Sequence, residues 1–255
     1  MRMLTRFAKL AVVGLTTAMA CASAAGAGEV SVAVAANFTD AMRDIARAFE
    51  TATGHKAVVS FASTGKIYAQ IQNGAPFEVF LAADAARPQK AEAEGLAVPG
   101  SRFTYAKGKL ALWSATENLF SDGEDYLKTG AFSHAAIANP KTAPYGFAAR
   151  QVLERLGLWD TLSDRLVRGD TIAQAFQFVA SGNADVGLLA LSQVLALPAG
   201  TGSNWEIPET YYEPIVQEAV LLKKGETNPA ALAFIDFLKG GTARNITTGY
   251  GYAVE

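Results

Sequence analysis

Residues 29–54, EVSVAVAANFTDAMRDIARAFETATG, decide the fold. The first eight residues, 29–36, are small or β-branched and predict a short buried strand. From Asp40 onward, apolar side chains recur at the i, i+3, i+4 and i+7 spacing of one helix face, namely Met42, Ile45, Ala46 and Phe49. Gly54 then ends the predicted helix. A strand followed at once by an amphipathic helix is half of a β-α-β unit, so the stretch predicts an α/β protein.

The same alternation of strands and helices continues along the rest of the chain. Further strands are predicted at 56–62, 78–82, 110–114, 135–139, 185–190 and 218–222. Further helices are predicted at 64–72, 86–94, 145–156, 171–181 and 229–239, and 195–214 is predicted to be loop because it is rich in Pro, Gly, Ser and Tyr. Strands and helices joined by short turns imply parallel strands with right-handed crossovers.

The order of these elements predicts two α/β lobes. The first lobe is expected to comprise 25–106 and 218–255, and the second 107–217, so that the chain crosses between the lobes twice. Open α/β sheets bind ligands at the carboxyl ends of their strands, which places a ligand cleft between the two lobes.

The first 24 residues, 1–24, have the layout of a secretory signal peptide. Arg2, Arg6 and Lys9 precede an apolar run at 10–20, which is too short to span a bilayer, and small residues follow. Cleavage after residues 22–24 would deliver a soluble protein to the periplasm. Lipid anchoring through Cys21 is the less favoured alternative, because 18–20 lacks the Leu that usually opens a lipoprotein site.

Charge and composition exclude several classes of function. Cleavage of the signal peptide would remove three of the 22 basic residues and leave 19 against 24 acidic ones. The mature chain would then have a net charge of −5, which gives no basic footprint for nucleic acid. A single Cys excludes an intrachain disulfide, a Cys-based zinc site and an iron–sulfur cluster.

Catalytic and metal-binding motifs are missing from the sequence. His55 and His134 have no potential metal ligand at a suitable spacing, and no nucleophile elbow, phosphate-binding Gly/Lys loop or zincin motif occurs. Ser63 has no nearby base and is better explained as a helix cap. The sequence therefore predicts neither an enzyme nor a bound cofactor.

Four strand-to-helix turns carry polar groups instead, at 36–39, 63–65, 144–146 and 170–172. The first turn of a helix has unpaired N–H groups and a dipole that favours negative charge. Helix capping explains any single turn of this kind. Four turns facing one cleft, however, predict a site that encloses an anion. Asp170 is the one carboxylate within these turns, and Lys66 is expected to point to solvent rather than to the anion.

Several motifs occur in order along the chain: 34–42 (VAANFTDAM), 60–65 (SFASTG), 74–76 with 81–84, 139–140 with 144–146, 156–159 (LGLW), 236–240 (DFLKG) and 250–252 (YGY). Together these motifs resemble one family, the periplasmic molybdate-binding proteins of ABC-type importers. They cover nearly all of the chain after the signal peptide, in order and with few gaps.

The resemblance implies a two-lobed type II (Venus-flytrap) periplasmic-binding-protein fold that holds molybdate or tungstate by hydrogen bonds alone. Molybdenum would enter only as the centre of the oxyanion. By position, the implied ligand residues of the first lobe are Asn37, Thr64 and the Ala36 amide, with Ser63 as a further candidate. Those of the second lobe are Tyr145 and the backbone amide of Ile172.

One position departs from the family pattern. Many relatives place a Tyr hydroxyl on the oxyanion from the segment that here contains Ala190, which has no side-chain donor. Because Tyr145 stands where those relatives often have Ala, we expect its hydroxyl to supply the missing donor.

The resemblance also implies partners: a membrane permease with a cytoplasmic ATPase, served by a monomeric binding protein. A binding protein for another tetrahedral oxyanion such as sulfate is the alternative, and an exported enzyme acting on an anionic substrate is a more distant one. The effector domain of a transcription regulator would share the fold, but the signal peptide and the lack of a helix-turn-helix segment disfavour it.

Overall fold

The computed structural model describes residues 27–254. The predicted signal peptide at 1–24, with Cys21, lies outside this part of the chain. The described residues form two five-stranded sheets, each covered by helices.

The strands are short, as expected for an α/β protein. They are β1 Glu29–Ala35, β2 Lys56–Ala62, β3 Val79–Leu81, β4 Phe103–Gly108, β5 Leu110–Ser114, β6 Ala135–Ala138, β7 Leu166–Gly169, β8 Val186–Ala190, β9 Ser203–Glu206 and β10 Ile215–Leu221.

The helices alternate with them. They are α1 Thr39–Thr53, α2 Thr64–Gln72, α3 Ala86–Ala93, α4 Gly123–Thr129, α5 Pro144–Arg155, α6 Trp159–Leu162, α7 Ile172–Ala180, α8 Leu191–Leu195, α9 Pro229–Lys239 and α10 Gly241–Gly249. Short 3₁₀ segments lie at Ala36–Phe38, Ser163–Arg165, Glu209–Tyr211 and Lys223–Gly225.

The two sheets have the same layout. The first has the order β2-β1-β3-β10-β4, and the second has the order β7-β6-β8-β5-β9. In each sheet the first three strands are parallel and the last two run antiparallel to their neighbours. The prediction of parallel strands therefore holds for three strands of each sheet and is wrong for β10 and β5, whose direction is set by the chain passing between lobes.

Helix α1 shows how the sequence pattern builds the core. Met42, Ile45 and Phe49 are fully buried on the face that packs against the first sheet, as their spacing predicts. Gly54 adopts φ +74° after the last turn, a left-handed conformation in which Gly has no steric penalty.

The points at which the chain crosses between lobes differ slightly from the predicted boundaries. The first sheet continues through Gly108, two residues beyond 106, and resumes at Ile215, three residues before 218. The reason is that β4 and β10 pair with each other along this stretch, including Gly108 with Ile215. The crossings therefore lie at Lys109 and between Glu206 and Ile215.

Some elements have no clear signal in the sequence. Strand β9 lies inside the predicted loop at 195–214, and α4, β7, α8 and α10 were also not predicted. Strand β9 pairs only with β5 at the edge of the sheet, so its backbone partner and not its polar composition makes it a strand.

Candidate functional site

Two neighbouring parallel strands in each lobe lead into the site. In the first lobe Ala35 at the end of β1 pairs with Ala62 at the end of β2, so the two turns that follow leave the same edge of the sheet. In the second lobe Ala138 of β6 pairs with Gly169 of β7 and brings the starts of α5 and α7 together in the same way. The two edges face each other across the boundary between the lobes.

A small cavity of about 10 Å³ lies where the four turns meet. All six residues that the sequence singles out line it: Ala36, Asn37, Ser63, Thr64, Tyr145 and Ile172. The remaining lining residues of the described chain are apolar, namely Ala35, Ala83, Ala143 and Pro144. The described lining thus carries no carboxylate, ammonium or guanidinium group, so any ligand held here would meet neutral polar groups.

Ser63 and Thr64 place two hydroxyls at this cavity, and both residues are buried. Thr64 Oγ1 accepts a hydrogen bond from the Ala83 N–H at 3.1 Å, which leaves the Thr64 hydroxyl proton free to be donated. Ser63 precedes α2 at the N-cap position, yet its side chain makes no capping bond. Its Oγ is buried and has no hydrogen-bond partner within residues 27–254. A buried hydroxyl without a partner is costly, so this one requires a reason.

The Asn37 side chain is held by other protein groups. Its Nδ2 donates to Gln217 Oε1 at 2.8 Å and to the Tyr252 hydroxyl at 3.1 Å. An amide NH₂ has two hydrogens, so both are engaged in this arrangement. The Asn37 backbone carbonyl accepts from the Tyr252 hydroxyl at 2.8 Å and from Ser192 Oγ at 3.4 Å. The side chain therefore has a fixed orientation, and the Asn37 backbone N–H at the cavity becomes the candidate donor.

Tyr145 reaches the same group of side chains from the second lobe. Its ring is buried, and its hydroxyl oxygen accepts a long hydrogen bond of 3.4 Å from Gln217 Nε2. Burial raises the pKa of Tyr145 well above its ordinary value, and the neighbouring hydroxyls of Tyr252 and Tyr105 raise it further. The phenol is therefore neutral at physiological pH and retains a proton to donate.

The residues that connect Asn37 and Tyr145 were not predicted from the sequence. Besides its bonds to these two, Gln217 Oε1 accepts from the Tyr105 hydroxyl at 3.1 Å, and the Tyr252 hydroxyl shares a 2.8 Å hydrogen bond with Ser192 Oγ. We call Asn37, Tyr105, Tyr145, Ser192, Gln217 and Tyr252 the seam network. The available signal was a Gln, next to Glu218, in the mostly apolar run of β10, where a polar side chain needs buried partners.

Backbone N–H groups complete the polar lining in the second lobe. Tyr145 is the second residue of α5, after Pro144, and Ile172 is the first residue of α7. Residues in these positions have N–H groups without partners inside their own helix. Thr171 caps α7 by accepting from the Gln174 N–H at 3.1 Å, which leaves the Ile172 N–H at the cavity.

Comparison with known proteins identifies the family. The model of the bacterial extracellular solute-binding protein family matches residues 30–253. The chain belongs to this family of solute-binding proteins.

Named relatives are similar over almost the whole chain. A molybdate-binding protein of Azotobacter vinelandii is 58% identical over 92% of this chain and 93% of its own length. One of Rhodobacter capsulatus is 51% identical over 94% of each. Among solved structures, a periplasmic molybdate-binding protein of Azotobacter vinelandii superimposes with a TM-score of 0.85 at 43% identity, covering 89% of this chain and 99% of that one.

The lobes of this solute-binding protein are in contact beside the cavity. The Gly65 N–H of α2 donates to the Thr142 carbonyl of the second lobe at 2.9 Å. Lys66 does not simply point to solvent as expected, because its Nζ donates to Asp170 Oδ2 across the boundary at 2.7 Å. Both side chains of this pair remain largely exposed, and Asp170 does not line the cavity. The structure thus shows the solute-binding protein with its lobes together.

Metal-binding clusters and membrane-spanning helices are both absent from residues 27–254. In the part of the chain that the structure describes, no cluster of three or more His, Cys, Asp or Glu side chains is arranged to hold a metal ion. Between residues 27 and 254, none of the helices combines the length and the apolar character that crossing a membrane requires.

Ala190, at the end of β8, is buried and does not line the cavity.

Proposed function

We propose that this solute-binding protein captures molybdate, and tungstate with it, in the periplasm and delivers it to an ABC importer. One observation carries the proposal: the hydroxyl and amide groups of four strand-to-helix turns line one cavity without a charged side chain among the described lining. The 58% identity to a molybdate-binding protein over nearly the whole chain supports molybdate as the solute.

The chemistry of the lining suits a fully deprotonated oxyanion. Such an anion has only acceptor atoms, so donors satisfy it completely and any buried acceptor would repel it. We assign the hydroxyls of Ser63, Thr64 and Tyr145 as side-chain donors. The backbone amides of Ala36, Asn37, Tyr145 and Ile172 are the proposed N–H donors. With Tyr145 in this set, the Ala190 position needs no donor of its own.

The energetics require several donors at once. Burying an ion costs several kcal/mol even after the protein relaxes, whereas hydrogen bonds to charged groups contribute about 1.5 to 3 kcal/mol each. A handful of such bonds offsets the desolvation of a dianion. Ser63 Oγ, which has no partner among the described residues, gains one only when the oxyanion is bound.

Capture requires movement of the lobes. A cavity of about 10 Å³ has room for about one water-sized group, so a tetrahedral anion must enter while the lobes are further apart. The first lobe would receive the anion on the turns at Asn37 and Thr64. Closure then brings Tyr145 and the Ile172 amide onto its other side and excludes water.

Delivery defines the partners and the location. We propose that the signal peptide at 1–24 directs export and is cleaved, that Cys21 carries no lipid anchor, and that the mature protein acts as a monomer. The closed, loaded form would dock on a membrane permease driven by a cytoplasmic ATPase. It would act as a carrier without an enzymatic activity or a cofactor of its own.

Calorimetric titration of the mature protein with molybdate, tungstate, sulfate and phosphate tests this function. We expect tight, comparable binding of molybdate and tungstate, and at least about tenfold weaker binding of phosphate and sulfate. Phosphate near neutral pH carries a proton that finds no acceptor in the lining, and sulfate is a smaller anion than molybdate. Molybdate at about 100 times its dissociation constant should raise the free energy of unfolding by about 2.7 kcal/mol. Equal affinity for sulfate would replace the assignment by a general oxyanion carrier, and no binding of any of the four anions would overturn the proposal.

A further inference from the structure

Gln217 contacts one residue of the cavity lining from each lobe. It is fully buried on β10, the strand that returns the chain to the first lobe. Its Oε1 accepts from Asn37 Nδ2 at 2.8 Å, and its Nε2 lies 3.4 Å from the Tyr145 hydroxyl oxygen. One amide side chain therefore joins a residue of the first lobe's cavity wall to a residue of the second lobe's wall.

The two ends of this amide impose opposite hydrogen-bonding roles. By accepting from Asn37, Oε1 fixes which way the Asn37 amide faces. By donating to Tyr145, Nε2 occupies a lone pair of the phenol oxygen, so the Tyr145 proton must point elsewhere. The remaining directions for that proton are toward Tyr252 or toward the cavity. Gln217 thus keeps the Tyr145 proton on the side of Tyr252 and the cavity, where a bound anion can accept it.

The backbone is shaped to let this contact form. The β4–β10 pairing shifts register between Gln217 and Glu218, an irregularity that re-aims side chains in a strand. Two residues along β4 from the partner of Gln217, Gly108 has no side chain, and a Cβ there would lie 2.0 Å from the Tyr145 hydroxyl and 2.7 Å from Gln217 Nε2. Only Gly leaves room for both groups at this position.

We propose that Gln217 is a positioning residue that sets the polarity of the oxyanion site, by holding Asn37 and Tyr145 so that both lobes present donors to the ligand. This inference rests on the proposed function. Gln217 does not line the cavity, so it acts through its two neighbours.

Neutral groups surround Gln217 on the packed elements that the structure describes. Tyr105 faces it from β4, Tyr145 from α5, and Tyr252 lies behind Asn37 near the C-terminus. Burial raises the pKa of each of these tyrosines above its ordinary value. The nearest carboxylates act from a distance: Asp84 on Tyr105, and Asp40 on Tyr252. Next in the strand, Glu218 forms an ion pair with Arg102, and its side chain is only slightly exposed.

Gln217→Glu is the decisive variant, because its protonation state switches its hydrogen-bonding role. A neutral Glu has one C=O and one O–H and reproduces the pattern of the Gln amide. An ionised Glu only accepts, so it draws the Tyr145 proton away from the cavity and adds a negative charge beside the anion. Burial should raise the pKa of the new carboxyl above about 4.3, into a range where binding can be measured.

We expect Gln217→Glu to bind molybdate at least about 100-fold more weakly than the unmodified protein at about pH 8, and within about tenfold of it at about pH 5. Measuring both proteins at each pH cancels any titration of the ligand itself. Gln89→Glu is the matched control, since Gln89 is exposed on α3 and this substitution makes the same charge change outside the network and the four cavity turns. It should bind within about threefold of the unmodified protein at both pH values.

Gln217→Met keeps the side-chain length, removes both polar groups and should lower affinity by about tenfold with no added pH dependence. It supplies the test if Gln217→Glu fails to fold at the higher pH. Molybdate binding by the unmodified protein decides the proposed function separately. If that binding is tight and both Gln217 variants match it at every pH, the positioning role of Gln217 is wrong.

Discussion

Ser63 and Thr142 offer a matched pair of hydroxyls at the scale of single residues. Within the described chain, Ser63 Oγ and Thr142 Oγ1 are both buried without a hydrogen-bond partner. Only Ser63 lines the cavity. Removing an unpartnered buried hydroxyl costs the folded protein almost nothing, so the two variants separate a binding role from a structural one.

We expect Ser63→Ala to leave the free energy of unfolding without ligand unchanged or raised by up to about 1 kcal/mol, while molybdate affinity falls about tenfold or more. Thermal unfolding without ligand and calorimetric titration measure the two quantities. Thr142→Val is the control and should behave in the same way in unfolding but bind molybdate normally. An unchanged affinity for Ser63→Ala would remove Ser63 from the donor set.

The residues of the cavity were easier to predict than those behind it. Asn37 and Thr64 come within two residues of the ends of predicted strands, so their place at a sheet edge follows from chain order alone. Ile172 was placed by the predicted start of its helix and by the family resemblance, since strand β7 before it was not predicted. Gln217 lies in the middle of a strand, and its three side-chain partners, Asn37, Tyr105 and Tyr145, come from distant parts of the chain. Local sequence carries no information on such contacts. Even at Asn37, the sequence predicts the location but not that the side-chain amide is engaged by Gln217 and Tyr252.

At the scale of elements, the start of α2 packs against the 139–143 segment of the second lobe. A Cβ at Gly65 would lie 3.0 Å from the Thr142 carbonyl oxygen and 3.1 Å from its Cα. These are backbone atoms, so they can move aside only if the whole segment moves. The Lys66–Asp170 pair beside this contact is exposed, and exposed pairs contribute about 0 to 1 kcal/mol. Close backbone approach, and not the ion pair, should therefore control closure.

Gly65→Val is expected to lower molybdate affinity by about ten- to a hundredfold, because overpacking a close contact costs about 1 to 3 kcal/mol. Without ligand its stability should change little, since the lobes can remain apart. Lys66→Met is the matched control and should change affinity by less than about fivefold. Calorimetry gives the affinities, and small-angle scattering shows whether molybdate still compacts each protein. A loss for Lys66→Met as large as that for Gly65→Val would mean that the ion pair controls closure.

The elements also show what local pattern can and cannot predict. Strand β2 at Lys56–Ala62 and strand β5 at Leu110–Ser114 were predicted to the residue, because each is an apolar or alternating run between turn residues. Strand β9 has neither property, and it forms because β5 offers it an open edge. Its place in the sheet depends on a residue pairing that spans about ninety positions of the chain, which no window of sequence contains.

At the scale of the whole molecule, the seam network ties the two lobes together through hydroxyls that must stay neutral. Tyr105 and Tyr252 belong to the first lobe and Tyr145 to the second. The Phe38 ring packs edge-on against Tyr105 and Tyr252, with centroids 4.9 and 5.1 Å away. This apolar cover keeps water from the hydroxyls, so ionising any of them would place a charge in a poorly solvated region.

Alkaline pH should therefore weaken the whole fold through these tyrosines. Burial raises the pKa of Tyr252 from 10.0 to about 12. Between these values the unfolded chain has lost the proton while the folded protein keeps it, so stability falls as pH rises and is fully present below about pH 10. Two pKa units correspond to about 3 kcal/mol for Tyr252 alone, at about 1.4 kcal/mol per unit.

Urea unfolding across this pH range, without ligand, measures the loss for the unmodified protein and for Tyr252→Phe. The variant should be less stable near neutral pH, because Ser192 and the Asn37 carbonyl lose a partner, but its stability should fall less steeply above about pH 10. Tyr126→Phe removes a half-buried hydroxyl outside the network and should flatten the slope less than Tyr252→Phe does, because burial raises the pKa of Tyr126 by a smaller amount. Equal slopes for Tyr252→Phe and the unmodified protein would show that Tyr252 titrates alike in the folded and unfolded states. The seam would then be open to water, and the Phe38 ring would not shield its hydroxyls.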